Sequence, residues 1–186
     1  MSTKRLVTKI LVAGPVGSGK TTFVRTLSES AVVNTDVAAS EKIGKLATTV
    51  GIDFGSLNVD RLHILLFGVP GQERFDFMWD VACNGSHALV LLIAADRPAC
   101  FIESKKILRF LRERISVPVV IGLTRSDVGE DWDHAEVGAY LGVSPECVVE
   151  IDARSKESCM QALHILFEYV SPNDDSAVSE ASLSLV

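Results

Sequence analysis

The sequence predicts an α/β fold: a mostly parallel sheet of six strands, flanked by helices on both faces. Three observations lead there. Short apolar runs alternate with amphipathic segments, two of the runs are apolar nearly throughout, and a glycine-rich turn joins the first run to the first helical segment.

Ile10-Leu11-Val12-Ala13 reads as a buried strand, with a helix from Lys20 to about Ser28 after the turn. Ile52 to Val59 and Leu62 to Phe67 read as neighbouring strands joined by a tight turn near Asp60. The first alternates in part, through Ile52 and Phe54, as a half-exposed strand does. Ala88–Ala94 and Val117–Leu123 are expected at the centre, because strands covered on both faces are apolar along their length. Between them Ile107, Leu108, Leu111 and Ile115 recur at helical spacing, with Lys105, Arg109 and Arg112 interleaved. Val148–Ile151 is a short last strand, and Cys159, Leu163, Leu166, Phe167 and Val170 line one stripe of a last helix. After Pro172 the composition turns to Ser, Asp, Asn, Ala and Glu. Residues 1–171 are therefore expected to form one domain and residues 172–186 a disordered tail.

Composition narrows the class. The chain has 186 residues, 47% hydrophobic and 23% charged, which suits one soluble domain and excludes collagen-like, disordered and disulfide-scaffold proteins. A net charge of −6 argues against nucleic acid as a partner. Cys83, Cys100, Cys147 and Cys159 form no CxxC pair and are expected as reduced core thiols of a cytoplasmic protein. His63, His87, His134 and His164 share no metal-ligand spacing. No membrane anchor is expected: Ser2 replaces the glycine of a myristoylation signal, and no cysteine stands near the C-terminus. The longest apolar run, Ala88 to Ala95, is far short of the ~20 residues of a membrane helix.

Chemistry enters at Gly14-Pro15-Val16-Gly17-Ser18-Gly19-Lys20-Thr21, which matches G-x-x-x-x-G-K-[ST], the Walker A loop. Glycines let the backbone curl so that amides among Gly14, Val16, Gly17, Ser18, Gly19, Lys20, Thr21 and Thr22 point at phosphate oxygens, and the helix starting near Lys20 aims its dipole at the same anion. Lys20 neutralises the β and γ phosphates, and the Thr21 hydroxyl is a Mg²⁺ ligand. A phosphate-binding P-loop is the firmest inference from the residues themselves.

Three later segments resemble Ras/Rab-type small GTPases. Thr48-Thr49-Val50-Gly51-Ile52-Asp53-Phe54 is similar to their first switch, and Gly68-Val69-Pro70-Gly71-Gln72-Glu73-Arg74-Phe75 to their second. Thr124-Arg125-Ser126-Asp127 stands where that family has Asn-Lys-x-Asp, and Asp152-Ala153-Arg154 where it has Ser-Ala-Lys. Pro15 and Val69-Pro70-Gly71-Gln72 resemble the bacterial Ras-like branch, close to the gliding-motility polarity switches. The resemblance implies a P-loop, Ras-like G domain that binds GTP or GDP with Mg²⁺. It implies that Thr49 closes on the metal and the γ-phosphate, that the Gly71 amide senses that phosphate, and that Gln72 orients the attacking water. On the base side, Asp127 would accept two hydrogen bonds from guanine, Arg125 would lie over the ring, and the Ala153 amide, next to Arg154, would reach the guanine oxygen. An effector and a regulatory, GTPase-activating protein, roadblock-type in that branch, are implied as partners.

Departures from the pattern carry expectations too. Gly68 replaces the aspartate that holds a Mg²⁺-bound water, so another carboxylate, Asp53 or Asp96, is a candidate for the role. Thr124 replaces an asparagine and is expected to lack its bridging contacts, which would weaken nucleotide affinity. Val16 replaces a glycine and is expected to crowd Gln72. The first switch carries no arginine, leaving Arg74 as the nearest one in cis. Phe75, Phe77, Met78 and Trp79 read equally as a partner surface or as core, and Trp132 as a candidate interface residue. Two functions follow: a slow, partner-stimulated GTPase switch, or a guanine-nucleotide-binding scaffold without catalysis. A P-loop kinase is the third class, but neither an acceptor site nor a basic lid is visible.

Overall fold

Strand β1 (Leu6–Ala13) lies at the middle of the sheet, and its alternation sets the two faces of the molecule. The computed structural model describes residues 6–30, 33–37, 50–71, 76–129 and 131–169. Around β1 the strand order is β2 (Val33–Val37), β3 (Val50–Val59), β4 (Leu62–Gly68), β1, β5 (Ala88–Ala94), β6 (Val119–Thr124) and β7 (Val148–Ile151). Strands β4, β1, β5, β6 and β7 run parallel. β3 pairs antiparallel with β4, and β2 with β3.

The expected mostly parallel, doubly covered sheet is thus present, and β2 extends it to seven strands. That strand, Val-Asn-Thr-Asp-Val, carries no apolar run and owes its conformation to pairing with β3. β6 starts at Val119, two residues later than the apolar run, because Pro118 has no N–H to give to a ladder. All seven residues of β5 are buried, as its composition requires.

Ile10 and Val12 of β1 face one side with Leu57, Ile64, Leu66, Val90 and Leu92. Helices α1 (Lys20–Leu27) and α5 (Lys156–Tyr169) close that side through Phe23, Val24 and Leu27, and through Cys159, Ala162, Leu163 and Leu166. Leu11 and Ala13 face the other, covered by α2 (Asp76–Cys83), α3 (Pro98–Arg112) and α4 (His134–Leu141). Trp79 of α2 is core there, edge-on to Phe110 with ring centroids 5.7 Å apart. Trp132 packs on Phe101 at 4.2 Å and donates its indole N–H to Ala95 O (3.0 Å), so its role is internal. Asp133 caps α4 by accepting from the Ala135 amide at 2.7 Å.

All four cysteines are buried thiols that form no disulfide. No helix among the described residues is long and apolar enough to cross a membrane. The tail expected at 172–186 lies outside the described residues.

After β1 the chain enters α1 on one face, whereas after β4 and β5 it enters α2 and α3 on the other. Such a divergence opens a crevice at the carboxyl ends of the strands. Phe23, fully buried, anchors the helix that borders this crevice. Truncation to alanine should destabilise the fold by about 3–5 kcal/mol. Urea unfolding should show a lower midpoint with an unchanged slope.

Candidate functional site

The loop from Gly14 to Gly19 carries the chain out of β1 and back into α1. Gly14 has φ +144°, and a Cβ there would stand 2.2 Å from the Leu92 carbonyl oxygen of β5. No other residue fits against that strand. Gly19 has φ +95° and caps α1 without a side-chain hydrogen bond, and no acidic residue follows in the first turn. The amides at this helix start are therefore left for an external acceptor.

Lys20 Nζ folds over the loop and donates to Gly14 O (2.8 Å) and Pro15 O (2.7 Å). Burial pulls its pKa down from 10.5 to about 8, against the attraction of Asp53; the Arg97 charge adds to the lowering. Ser18 is fully buried, and its hydroxyl has no hydrogen-bond partner. Val16 is 57% exposed, so its side chain stands on the outside of the loop. Gly71 lies against the same loop, where a Cβ would be 2.6 Å from Gly14 O. Gln72, Arg74 and Thr49 are outside the described residues.

Of the two carboxylates expected to stand in for the one missing at Gly68, Asp53 is in position. Asp53 and Gly68 are direct partners across the β3–β4 ladder, and a Cβ on Gly68 would come within 3.4 Å of Asp53 Oδ2. The absent side chain leaves room for the aspartate from the opposite strand. Asp53, nearly buried, accepts a 2.5 Å hydrogen bond from Thr21 Oγ1. A hydroxyl and a carboxylate beside an anion loop are the hard oxygen donors that Mg²⁺ favours, so the residues fit that ion. Among the described residues no group of three His, Cys, Asp or Glu could hold a metal without such an anion.

Asp96 is engaged elsewhere, 3.2 Å from Arg125 Nη1 and 3.8 Å from Arg97 Nε.

Across the crevice, a cleft of about 670 Å³ runs from Gly19 and Thr22 to Thr124, Arg125, Asp127, Ala153 and Arg154. Residues from three loops thus meet in one place. Arg125 adopts φ +61°, the left-handed region, and bends its loop around the cleft. Asp127 is exposed and 3.8 Å from Arg154, which also pairs with Asp152 (2.9 Å). Ala153 is held by its carbonyl, which accepts from Thr26 Oγ1 at 2.7 Å.

Thr124 corrects one expectation. Its buried hydroxyl donates to Ser18 O (3.0 Å) and leans on Ile93 O (3.3 Å), so it does bridge the phosphate loop to the sheet. One hydroxyl hydrogen reaches both carbonyls where an amide would use separate groups.

Arg97 is the residue that sequence reasoning missed. It follows β5 and caps α3, and its guanidinium rests on the loop, with Nη2 2.8 Å from Gly17 O and 3.3 Å from Val16 O. A lone arginine after a strand has no motif; only the crossing of β5 beside β1 brings it there.

A family model described as a conserved hypothetical ATP binding protein matches residues 30–171. Over 87% of its length the chain is 29% identical to an uncharacterized protein of Methanocaldococcus jannaschii, covering 96% of that protein. It is 26% identical over 64% of its length to human ADP-ribosylation factor-related protein 1, and spans 59% of that relative. Among solved structures, the G domain of the T. maritima FeoB iron transporter superposes with a TM-score of 0.67 at 18% identity. That alignment covers 89% of this chain and 99% of that domain. The fold is that of a P-loop GTPase G domain.

Lys20 supplies a pH signature. An anion favours its charged form, so triphosphate affinity should fall as pH rises through about 8, and Lys20→Met should flatten the profile. Without ligand the sign reverses. The unfolded lysine keeps its proton up to 10.5, so burying its charge penalises folding below about pH 8, and stability recovers as pH rises from 8 to 10.5. Calorimetry and thermal melting across that window measure both.

Proposed function

The chain belongs to the family described as a conserved hypothetical ATP binding protein, and from that premise we propose that it is a guanine-nucleotide switch. It holds GTP or GDP with Mg²⁺ and hydrolyses GTP slowly. The state of the nucleotide is read out through the surface around Thr49 and Gly71. One observation carries this reading: the cleft that joins the phosphate loop at Gly19 to Arg125, Asp127 and Ala153.

The family description names an adenine nucleotide. The base-side residues favour guanine, because a carboxylate at Asp127 accepts from both the N1–H and the N2 amine, and adenine offers no such pair of donors. Arg125 covers the ring with its planar cation. The loop amides and Lys20 hold the phosphates and stabilise charge on the transferring group, and Gln72 orients the water that attacks it. Thr21, Asp53 and Thr49 would hold Mg²⁺, which would supply positive charge against the phosphates. Hydrolysis without a partner is slow: the first switch carries no arginine of its own, and a partner is needed to position Gln72 rather than to insert an arginine. Resemblance to the bacterial polarity-switch branch supports a cytoplasmic protein with an effector and a roadblock-type regulator.

A second reading, a nucleotide-binding scaffold without catalysis, is favoured by Val16, a branched and exposed side chain on the stretch of phosphate loop against which Gly71 packs.

Calorimetry with GTP, GDP and ATP is the first test. Tight binding of both guanine nucleotides and weak binding of ATP are expected; equal affinity for ATP would refute the guanine assignment. Phosphate release in single turnover should proceed on the order of 10⁻⁴ to 10⁻² s⁻¹ and drop further in Gln72→Leu. No release in either protein would leave the scaffold.

The metal role of Asp53 has its own readout. Asp53→Asn should make nucleotide dissociation nearly insensitive to added Mg²⁺. The double exchange Asp53→Gly with Gly68→Asp, which returns a carboxylate from the facing strand, should restore part of that sensitivity.

A further inference from the structure

Every carbonyl of the phosphate loop is engaged. Lys20 Nζ takes those of Gly14 and Pro15, Thr124 takes that of Ser18, and the Phe23 amide takes that of Gly19 at 2.8 Å. The remaining two, on Val16 and Gly17, are both occupied by Arg97. In a trans peptide the C=O and the following N–H point in opposite directions. A cation on the Val16 and Gly17 oxygens therefore fixes the amides of Gly17 and Ser18 on the far side of the backbone, where the Ser18 amide donates to Pro15 O at 3.2 Å. It also neutralises the two dipole ends that would otherwise repel an anion.

Arg97 is itself tethered. Its Nε and Asp96 Oδ1 are shielded from solvent, have no hydrogen-bond partner, and face one another at 3.8 Å. The other oxygen of Asp96 holds Arg125 at 3.2 Å. One carboxylate thus spans from the arginine on the phosphate loop to the arginine at the base-side loop.

We propose that Arg97 is a positioning residue for phosphate binding, which locks the outward carbonyls of Val16 and Gly17, and that Asp96 aligns it with the base-side loop. The proposal rests on the reading of the cleft as a nucleotide site. It assigns Arg97 to affinity for the phosphates and not to the reaction. The planar guanidinium reaches two adjacent carbonyls from one nitrogen while leaving Nε to face Asp96, a geometry that a lysine ammonium does not reproduce.

The test compares inorganic tripolyphosphate, guanosine and GTP as ligands of the wild type, Arg97→Gln, Arg97→Lys and Asp96→Asn, by calorimetry and by competition with a fluorescent GDP. Arg97→Gln should weaken tripolyphosphate and GTP by the same factor, roughly tenfold or more, and leave guanosine unchanged. Arg97→Lys should recover part of the loss, and Asp96→Asn should show a smaller one. Unchanged tripolyphosphate and GTP affinity in Arg97→Gln overturns the proposal, as does intact affinity with slower hydrolysis. Equal loss for guanosine and tripolyphosphate with a lowered melting temperature overturns it as well, since that marks general unfolding. A wild type that binds tripolyphosphate but not GTP refutes the switch reading alone, and the effect of Arg97 on tripolyphosphate is still measured.

Discussion

The site depends on a conflict within the peptide backbone. A loop that is to surround an anion must present N–H groups inward, which turns its carbonyls outward, and outward carbonyls near a sheet need donors. Here three side chains from separate parts of the chain supply them: Lys20 from the following helix, Arg97 from the end of β5 and Thr124 from the end of β6. The first is local to the loop. The other two are not, so the loop is formed fully only when the parallel sheet has assembled.

Close approach has the same origin. Gly14 has no Cβ because the Leu92 carbonyl of the neighbouring strand already occupies the space. Gly68 has none because Asp53 fills it from the strand opposite. In both cases what one strand gives up, the adjacent strand uses. The register of β3 on β4 and of β5 beside β1 is thus part of the chemistry and not only of the scaffold.

These relations explain what could be read beforehand. β5 was legible because seven consecutive apolar residues have one stable environment, and the phosphate loop because its glycines and lysine are adjacent in sequence. β2 was not, since its polar residues are strand-forming only beside β3. The placement of Asp53 over Asp96 required a strand register, which no residue type announces. Thr124 reads as a loss beside an asparagine amide, because only the fold sets the two carbonyls of Ser18 and Ile93 in front of its hydroxyl. Arg97 carries no local signal at all; an arginine before a proline at a helix start reads as solvated until the fold sets it on the loop.

The unguarded start of α1 reaches beyond recognition. With a glycine at the cap and no acid in the first turn, the helix that closes one face of the core together with α5 is complete only when something negative sits at its tip. Each bound phosphate would then act as a missing cap, and folded protein would accumulate in proportion to its occupant. Since proteases cut the unfolded chain, an occupant of the loop would also slow its degradation.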